Sequence, residues 1–409
     1  MANTIRTNSL AELVALRFSE IAGYLKVGAK AYFKGQLEGK RNGQTYRFVI
    51  TDTGVPQNQL AVSSTATDME IHEREVSMSL DPWNICINTN AIESVTDLNW
   101  DKEIAIPNSQ KLVNAVVRKA VQSDLGKCGV AFVGEGFAPL SKASAYLGDI
   151  TNEKLYGFIS SQIEAILTTN GQQFVPTGAP EMYKSGLLGT FHGAEYRSQR
   201  FFKQVKVSAD CVTGLTGATL ASSNGYVDGG TGTATLKLSF SAAAASGFTI
   251  PKGMPIWVEG VYATDLVGDV TECLHAFVVT ADVSVASSAT TASVVVRAVH
   301  LNSATGSREV ATEGNADLAA TDFNSAKVSI PAAGNYFGGI IRAEGAMEFE
   351  TLEKLDAEGA EYEKGSVDGV NIHKNKLVDL ATMVNKTRFD IVSMAGIVEP
   401  RAVAYILVK

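Results

Sequence analysis

The chain has 409 residues, of which 45% are hydrophobic, so it is long enough for two or three domains that each bury a core. Its formal net charge of -8, spread over many acidic residues, argues against a dedicated DNA-binding protein, because phosphate neutralisation needs clustered Lys and Arg. No basic segment precedes an apolar one at the N-terminus, and no run approaches the roughly 18 apolar residues of a membrane span, so we expect no membrane partner.

The first predicted element is a short amphipathic helix. Residues 7–25 ("TNSLAELVALRFSEIAGYL") offer Asn8 or Ser9 as an N-cap and place apolar residues at helical spacing on one side. This helix is either the first helix of a domain or an arm that docks on a partner.

The next predicted element is a long two-stranded hairpin. One strand-like run lies at 46–50, and a second alternates Val76, Met78 and Leu80 with polar residues. The Gly, Ser, Thr and Asn residues between the two runs could hardly form a core. Since such a hairpin is marginal alone in water, it must lie on a neighbour, within the chain or outside it.

A long helix is predicted from Ser109 to Leu125, followed by Gly126 as a stop signal. Its apolar stripe consists of Leu112, Val113, Val116, Val117, Ala120, Val121 and Leu125, of which Val113, Val116 and Val117 are predicted structural-core residues. The other faces carry Lys111, Arg118 and Lys119, which form either a solvated surface or an anion site. A second helix is predicted over 151–171, with Thr151 as its cap and Gly171 as its end.

The composition changes sharply at about residue 212. From Val212 to Ile250 only Asp228 and Lys237 are charged, and Gly, Ser, Thr and Ala dominate. Alternating runs then follow, which predict strands at 235–240, 255–262, 277–285 and 291–299. We predict a compact antiparallel sheet or barrel inserted into an α+β chain, which resumes at Tyr336 and closes with two apolar strands separated by Pro400.

No constellation of catalytic, cofactor-binding or metal-binding residues is visible. There is no phosphate-binding loop, nucleophile elbow or HExxH motif. The cysteines are predicted to be reduced thiols, most of them buried: Cys86, Cys128, Cys211 and Cys273. The histidines are predicted to be isolated from the cysteines and from one another: His72, His192, His275, His300 and His373. The acidic run at 344–363 is predicted to be a solvated face, with a DNA-facing non-adhesive surface or an acid/base pair as alternatives. We therefore expect no enzyme and no cofactor.

The order of these segments, together with three motifs, resembles a known family. The motifs are "PKGMPIWVEGVYATD" at 251–265, "HAFVVTADVSVASSATTASVVVRAV" at 275–299 and "GLLGTFHGAEYRSQRF" at 186–201. They are similar to the insertion domain, and the stretch preceding it, of P-22-like tailed-phage major coat proteins, which have the HK-97 fold. The resemblance covers essentially the whole chain.

The resemblance implies an α+β, HK-97-like fold with an inserted antiparallel β-barrel domain. Its implied parts are an N-terminal arm (1–40), an extended hairpin or E-loop (41–80), a peripheral domain with the spine helix (81–136), a first part of the axial domain (137–212), the inserted barrel (213–335) and the axial and peripheral return with C-terminal strands (336–409).

The implied function is a major capsid protein that self-assembles, as hexamers and pentamers, into an icosahedral shell around double-stranded DNA. The resemblance also implies a scaffolding protein during assembly, a portal at one vertex, no sequence-specific DNA binding, and assembly in the host cytoplasm into the virion capsid. Arg41, Arg47 and Asp228 are candidate subunit-contact residues. A secreted or surface-layer β-rich protein, or an enzyme with a β-barrel insertion, are the alternatives.

Overall fold

The computed structural model describes residues 10–30, 45–52, 72–90, 106–169, 187–230, 232–302, 308–352, 361–379 and 384–409. Over these residues the chain is a mixed α+β protein in which strands predominate. The helices are α1 (Leu10–Ile21), α2 (Gly23–Lys26), α3 (Ile106–Asp124), α4 (Ala138–Ile150), α5 (Ser161–Thr169) and α6 (Ala209–Leu215).

The strands before the change in composition are β1 (Ala29–Lys30), β2 (Thr45–Asp52), β3 (His72–Ser79), β4 (Asp81–Asn90), β5 (Val130–Gly134), β6 (Leu155–Ile159), β7 (Leu187–Phe191), β8 (Ala194–Ser198) and β9 (Gln204–Val207). Those of the following segment are β10 (Thr219–Leu220), β11 (Tyr226–Asp228), β12 (Thr233–Ser239), β13 (Phe248–Ile250), β14 (Pro255–Thr264), β15 (Val270–Val278), β16 (Val283–Val285), β17 (Thr291–Arg297), β18 (Val310–Ala311) and β19 (Val328–Ser329). The last are β20 (Gly334–Ala343), β21 (Met347–Thr351), β22 (Glu361–Val367), β23 (Val370–Asp379), β24 (Val384–Ile397) and β25 (Val403–Val408).

The first large sheet is built around β24. This strand pairs antiparallel with β4 and β23 along its first part and with β21 along its last residues, and β1 and β22 extend the sheet. Helices α1 and α3 pack against it. The approach of α1 is close, because a Cβ on Gly365 of β22 would lie 2.2 Å from the carbonyl carbon of Ala11.

The second large sheet has the order β5-β25-β20-β6-β8-β7, with β9 also pairing with β20. Its interior strand β25 is parallel to β5 and antiparallel to β20, and all six of its residues are buried. Helix α4 packs on this sheet. A near-continuous apolar run is what a strand covered on both faces requires, which explains the sequence "VAYILV".

The segment from β10 to β19 pairs within itself, apart from contacts to the two large sheets. Strand β12 pairs with β10, β11 and β17, while β14 pairs with β15, β18 and β19. The strand predicted over 277–285 is two strands, because the chain leaves β14 after Val278. The Val279 amide then donates to the Met254 carbonyl and the Thr280 amide to the Val295 carbonyl, which turns the chain before β16.

The helix predicted over 151–171 is wrong in its first half. Residues 155–159 form β6, which pairs with β20 and β8, and of the described residues in this range only 161–169 are helical. The apolar residues of this segment have helical spacing. Gly157, however, suits a strand that lies against the Tyr196 ring, because a Cβ at this position would be 2.4 Å from Cδ1 of Tyr196. Ser160 lies between the two elements, and its carbonyl accepts the Ile163 amide.

The predicted long helix is α3, and its apolar stripe, including Val113, Val116 and Val117, is buried.

The prediction that the acidic run forms a solvated face is wrong at Glu348, which is fully buried on β21. Of the thiols, Cys128 and Cys211 are buried and Cys86 is exposed.

Candidate assembly surfaces

The hairpin β2–β3 is the first candidate contact surface. Its strands pair residue by residue from Thr45 opposite Ser79 to Asp52 opposite His72. Among the described strands they pair with no others. Arg47 lies on β2 opposite Ser77, whereas Arg41 lies outside the described residues.

The base of this hairpin is fixed by a small apolar cluster, separate from the main core. Met78 and Leu80, both buried, pack with residues of β24 and its surroundings, and Val76 packs partly buried against them. The other members of the cluster are Leu352, Val392, Met394 and Val398. The hairpin is therefore anchored at the end where it joins β4.

The second candidate contact residue, Asp228, is exposed at the end of β11, just before the short turn to β12. Its Oδ1 accepts a hydrogen bond of 2.8 Å from the Gly230 amide, and Gly230 has a φ of 71°, in the left-handed region that favours glycine. Asp228 and Arg47 lie in different sheets. Val76 of β3, next to the residue opposite Arg47, lines the same cleft as Asp228.

Asp228 lines the rim of a cleft of about 630 Å³ between the end of α3 and the β10–β19 segment. Lys127, Lys252, Arg297 and Glu309 also line the cleft. Arg297 and Glu309 form an ion pair in which the Glu309 side chain is only 2% exposed. Within the cleft wall, the charges of Arg297 and Glu309 thus neutralise each other.

Sequence analysis did not find the buried arginine that joins the N-terminal helices to the second sheet. Arg342 of β20 is fully buried, and its Nη2 donates to the carbonyls of Tyr24 and Val27, the latter at 2.8 Å. Its guanidinium lies 5.0 Å from the ring centroid of Tyr24 and 4.6 Å from that of Phe158. Burial lowers the pKa of Arg342. The only sequence signal is one cation inside the apolar run "GGIIRAEGA".

Asp124 at the end of α3 forms a second buried junction. Its Oδ2 accepts from the Tyr24 hydroxyl at 2.8 Å, and its Oδ1 accepts from the Ile397 amide at 3.0 Å. Nζ of Lys127 donates to the Ile397 carbonyl at 3.2 Å. Burial raises the pKa of Asp124, against the opposing effect of Lys127. This carboxylate fixes α2, α3 and β24 to one another.

The β10–β19 segment is attached beside the second sheet by hydrogen bonds to residues just before β5 and β25. The Ala276 amide donates to the Gly129 carbonyl at 3.1 Å, and Nη1 of Arg401 donates to the Asp265 carbonyl at 3.2 Å. His275, beside Ala276, is 2% exposed and lies edge-on to Phe277. Its Nδ1 has no hydrogen-bond partner among the described residues.

Several titratable groups with shifted pKa values, namely Asp124, Lys127 and Arg342, belong to these structural junctions. Among the described residues, no group of three or more His, Cys, Asp or Glu side chains is placed to hold a metal ion. None of the helices in the described ranges has both the length and the apolar character needed to cross a membrane.

No protein-family model and no curated protein sequence matches this chain. Similar solved structures include the acid-stable capsid of Helicobacter pylori bacteriophage KHP30, at 9% identity over 100% of this chain and 94% of that chain, with a TM-score of 0.43. The capsid of Ralstonia phage GP4 is similar at 7% identity over 93% and 91%, with a TM-score of 0.43.

A virus-like particle from Pyrococcus furiosus is similar at 7% identity over 97% of each chain, with a TM-score of 0.38. The first two structures are phage capsids, and the third is a virus-like particle.

Proposed function

We propose that this chain is the major capsid protein of a tailed phage and assembles into the icosahedral shell that encloses the double-stranded DNA genome. Its role is structural and non-enzymatic. Hexamers and pentamers of the chain, a scaffolding protein and a portal are the proposed partners, and the host cytoplasm is the proposed place of assembly.

The proposed HK-97-like parts follow the order of the elements. Helix α1 belongs to the N-terminal arm, β2–β3 to the extended hairpin, α3 is the spine helix, and β10–β19 form the inserted barrel. The two large sheets are the peripheral sheet around β24 and the axial sheet around β25.

The observation that carries the proposal is the hairpin. It is anchored at its base by Met78 and Leu80, and its strands pair only with each other in the described part of the chain. A two-stranded ribbon is marginal in water, so the energetic support for this one comes from a neighbour. Contact with adjacent subunits of a shell supplies it. Arg41, Arg47 and Asp228 are the proposed subunit contacts.

The test shortens the hairpin without disturbing its base. Replacing 49–75 by Asn-Gly joins Phe48 to Val76, which lie opposite each other, and keeps Val76, Met78 and Leu80. Expressed with the scaffold, the full chain should form shells in negative-stain micrographs, and the shortened chain should stay soluble, fold and form none. Lys119→Ala, which removes a surface ion pair with Asp81, is the control and should form shells. Shells from the shortened chain, or none from the full chain, would contradict the proposal.

A further inference from the structure

The exposed side of α3 has an unusual charge. The chain as a whole is acidic, with 43 Asp and Glu against 35 Lys and Arg. In α3, however, the single acidic residue is Asp124, which is buried, while Lys111, Arg118 and Lys119 are exposed. Lys111 and Arg118 are seven residues apart, which places them on one face of the helix, about 10 Å apart along its axis.

A second segment extends this surface. The Arg118 guanidinium lies 5.4 Å from the ring centroid of Phe201, in the turn between β8 and β9. Arg200 and Lys203 flank Phe201 and are exposed. We call Lys111, Arg118, Arg200 and Lys203 the basic surface.

The four cations of the basic surface are not neutralised within the described part of the chain. Its ion pairs involve other residues, such as Lys119 with Asp81 and Arg197 with Glu195. Stacking on Phe201 holds one face of the Arg118 guanidinium and leaves its N–H edge for an acceptor in the plane. This arrangement fits phosphate oxygens, which accept from guanidinium and ammonium groups without regard to base sequence.

We propose that the basic surface contacts the phosphate backbone of duplex DNA. That the polyanion is DNA rests on the proposed function, in which the shell encloses a DNA genome. Four cations are fewer than the six to ten phosphate contacts of a dedicated DNA-binding protein. The contact is therefore weak, independent of sequence and strongly dependent on salt, as a container that later releases its genome requires.

Salt dependence gives the sharpest test. Binding of the unassembled full chain to a fluorescent duplex is measured by anisotropy between 50 and 200 mM salt. Four phosphate contacts predict that affinity falls about 150-fold over this range, and Lys111→Gln with Arg118→Gln should reduce the fall to about 12-fold. The matched control, Lys237→Gln with Lys327→Gln, makes the same charge change on the β10–β19 segment and should keep the wild-type dependence. Arg118→Lys retains the positive charge and should also keep the wild-type salt dependence.

Three results would overturn the proposal: an unchanged salt dependence in the Lys111/Arg118 variant, an equal change in the control, or competition by polyglutamate as strong as by unlabelled duplex of equal charge. The last would indicate an acidic protein segment as the partner. Thermal melting of each variant ensures that only folded chains are compared. Shell formation is scored separately by microscopy, so a chain that binds DNA in this way but forms no shells contradicts the proposed function alone.

Discussion

Arg342 and Asp124 each join segments that are far apart in the sequence. The Arg342 contact with the Tyr24 carbonyl spans 318 positions, and the Asp124 contact with the Ile397 amide spans 273. A buried charge is tolerated only where such partners compensate for its lost hydration. These two residues therefore fix the N-terminal helices relative to both large sheets.

His275 makes the stability of the chain sensitive to acid. Burial, with a smaller contribution from the Arg297 guanidinium, lowers its pKa to about 3, whereas an unfolded histidine has a pKa of about 6.5. Below pH 6.5 the unfolded chain binds the proton first, so the free energy of unfolding falls by about 1.4 kcal/mol per pH unit. From pH 7.5 to 5.0, His275→Phe should remove about 2 kcal/mol of the decrease, as measured by urea unfolding.

Phe can occupy the buried space of His275 beside Phe277 without carrying an ionisable group. The control for this comparison is His192→Asn, which removes an exposed imidazole at a residue with a φ of 47° that Asn tolerates. If His275→Phe and the wild-type chain lose the same free energy on acidification, the imidazole is not the group responsible.

At the scale of elements, β6 depends on the close contact between Gly157 and Tyr196. The Tyr196 ring is fully buried, and its hydroxyl lies 3.0 Å from Oγ of Ser144, so the ring has little room to move. Gly157→Ala should lower the free energy of unfolding by about 1 to 3 kcal/mol through overpacking, measured by chemical denaturation.

Gly148 provides the opposite case, because a Cβ on this glycine of α4 would meet no atom within 4 Å. Gly148→Ala should raise the free energy of unfolding by up to about 1 kcal/mol. If Gly157→Ala instead raises the free energy of unfolding, the Tyr196 ring moves to accommodate the added methyl group. The close contact between residues 157 and 196 then does not hold β6 in place.

These elements also show what sequence can predict. Helix α3 is long enough for its stripe of buried residues to be distinctive, and β24 and β25 appear as apolar runs on either side of Pro400. The segment at 155–159 has helical spacing by coincidence, and its partners β8 and β20 lie far along the chain. The same holds for the Arg342 and Asp124 junctions and for buried Glu348, because their environment is created by tertiary pairing that local pattern does not encode.

At the scale of the whole molecule, the proposed assembly should change the hydrogen exchange of β2 and β3. The strands pair only with each other in the described ranges, so their amides should exchange quickly in the free subunit and slowly in shells. The amides of β25, which is buried between β5 and β20, serve as the internal reference and should be protected in both states. Equal protection of the hairpin in free and assembled chains would show that subunit contact does not order it.

The pairing of β25 with the early strand β5 also governs the timing of folding during synthesis. Strand β5 leaves the ribosome roughly 270 residues before its partner β25, a delay of about 15 to 55 s at typical rates of translation. Strand β4 is likewise synthesised long before its partner β24. The strands of the β10–β19 segment meet their partners much sooner, because they pair with one another. The nascent chain therefore carries one closed module while two apolar half-sheets remain open, and chaperones have that interval in which to shield them.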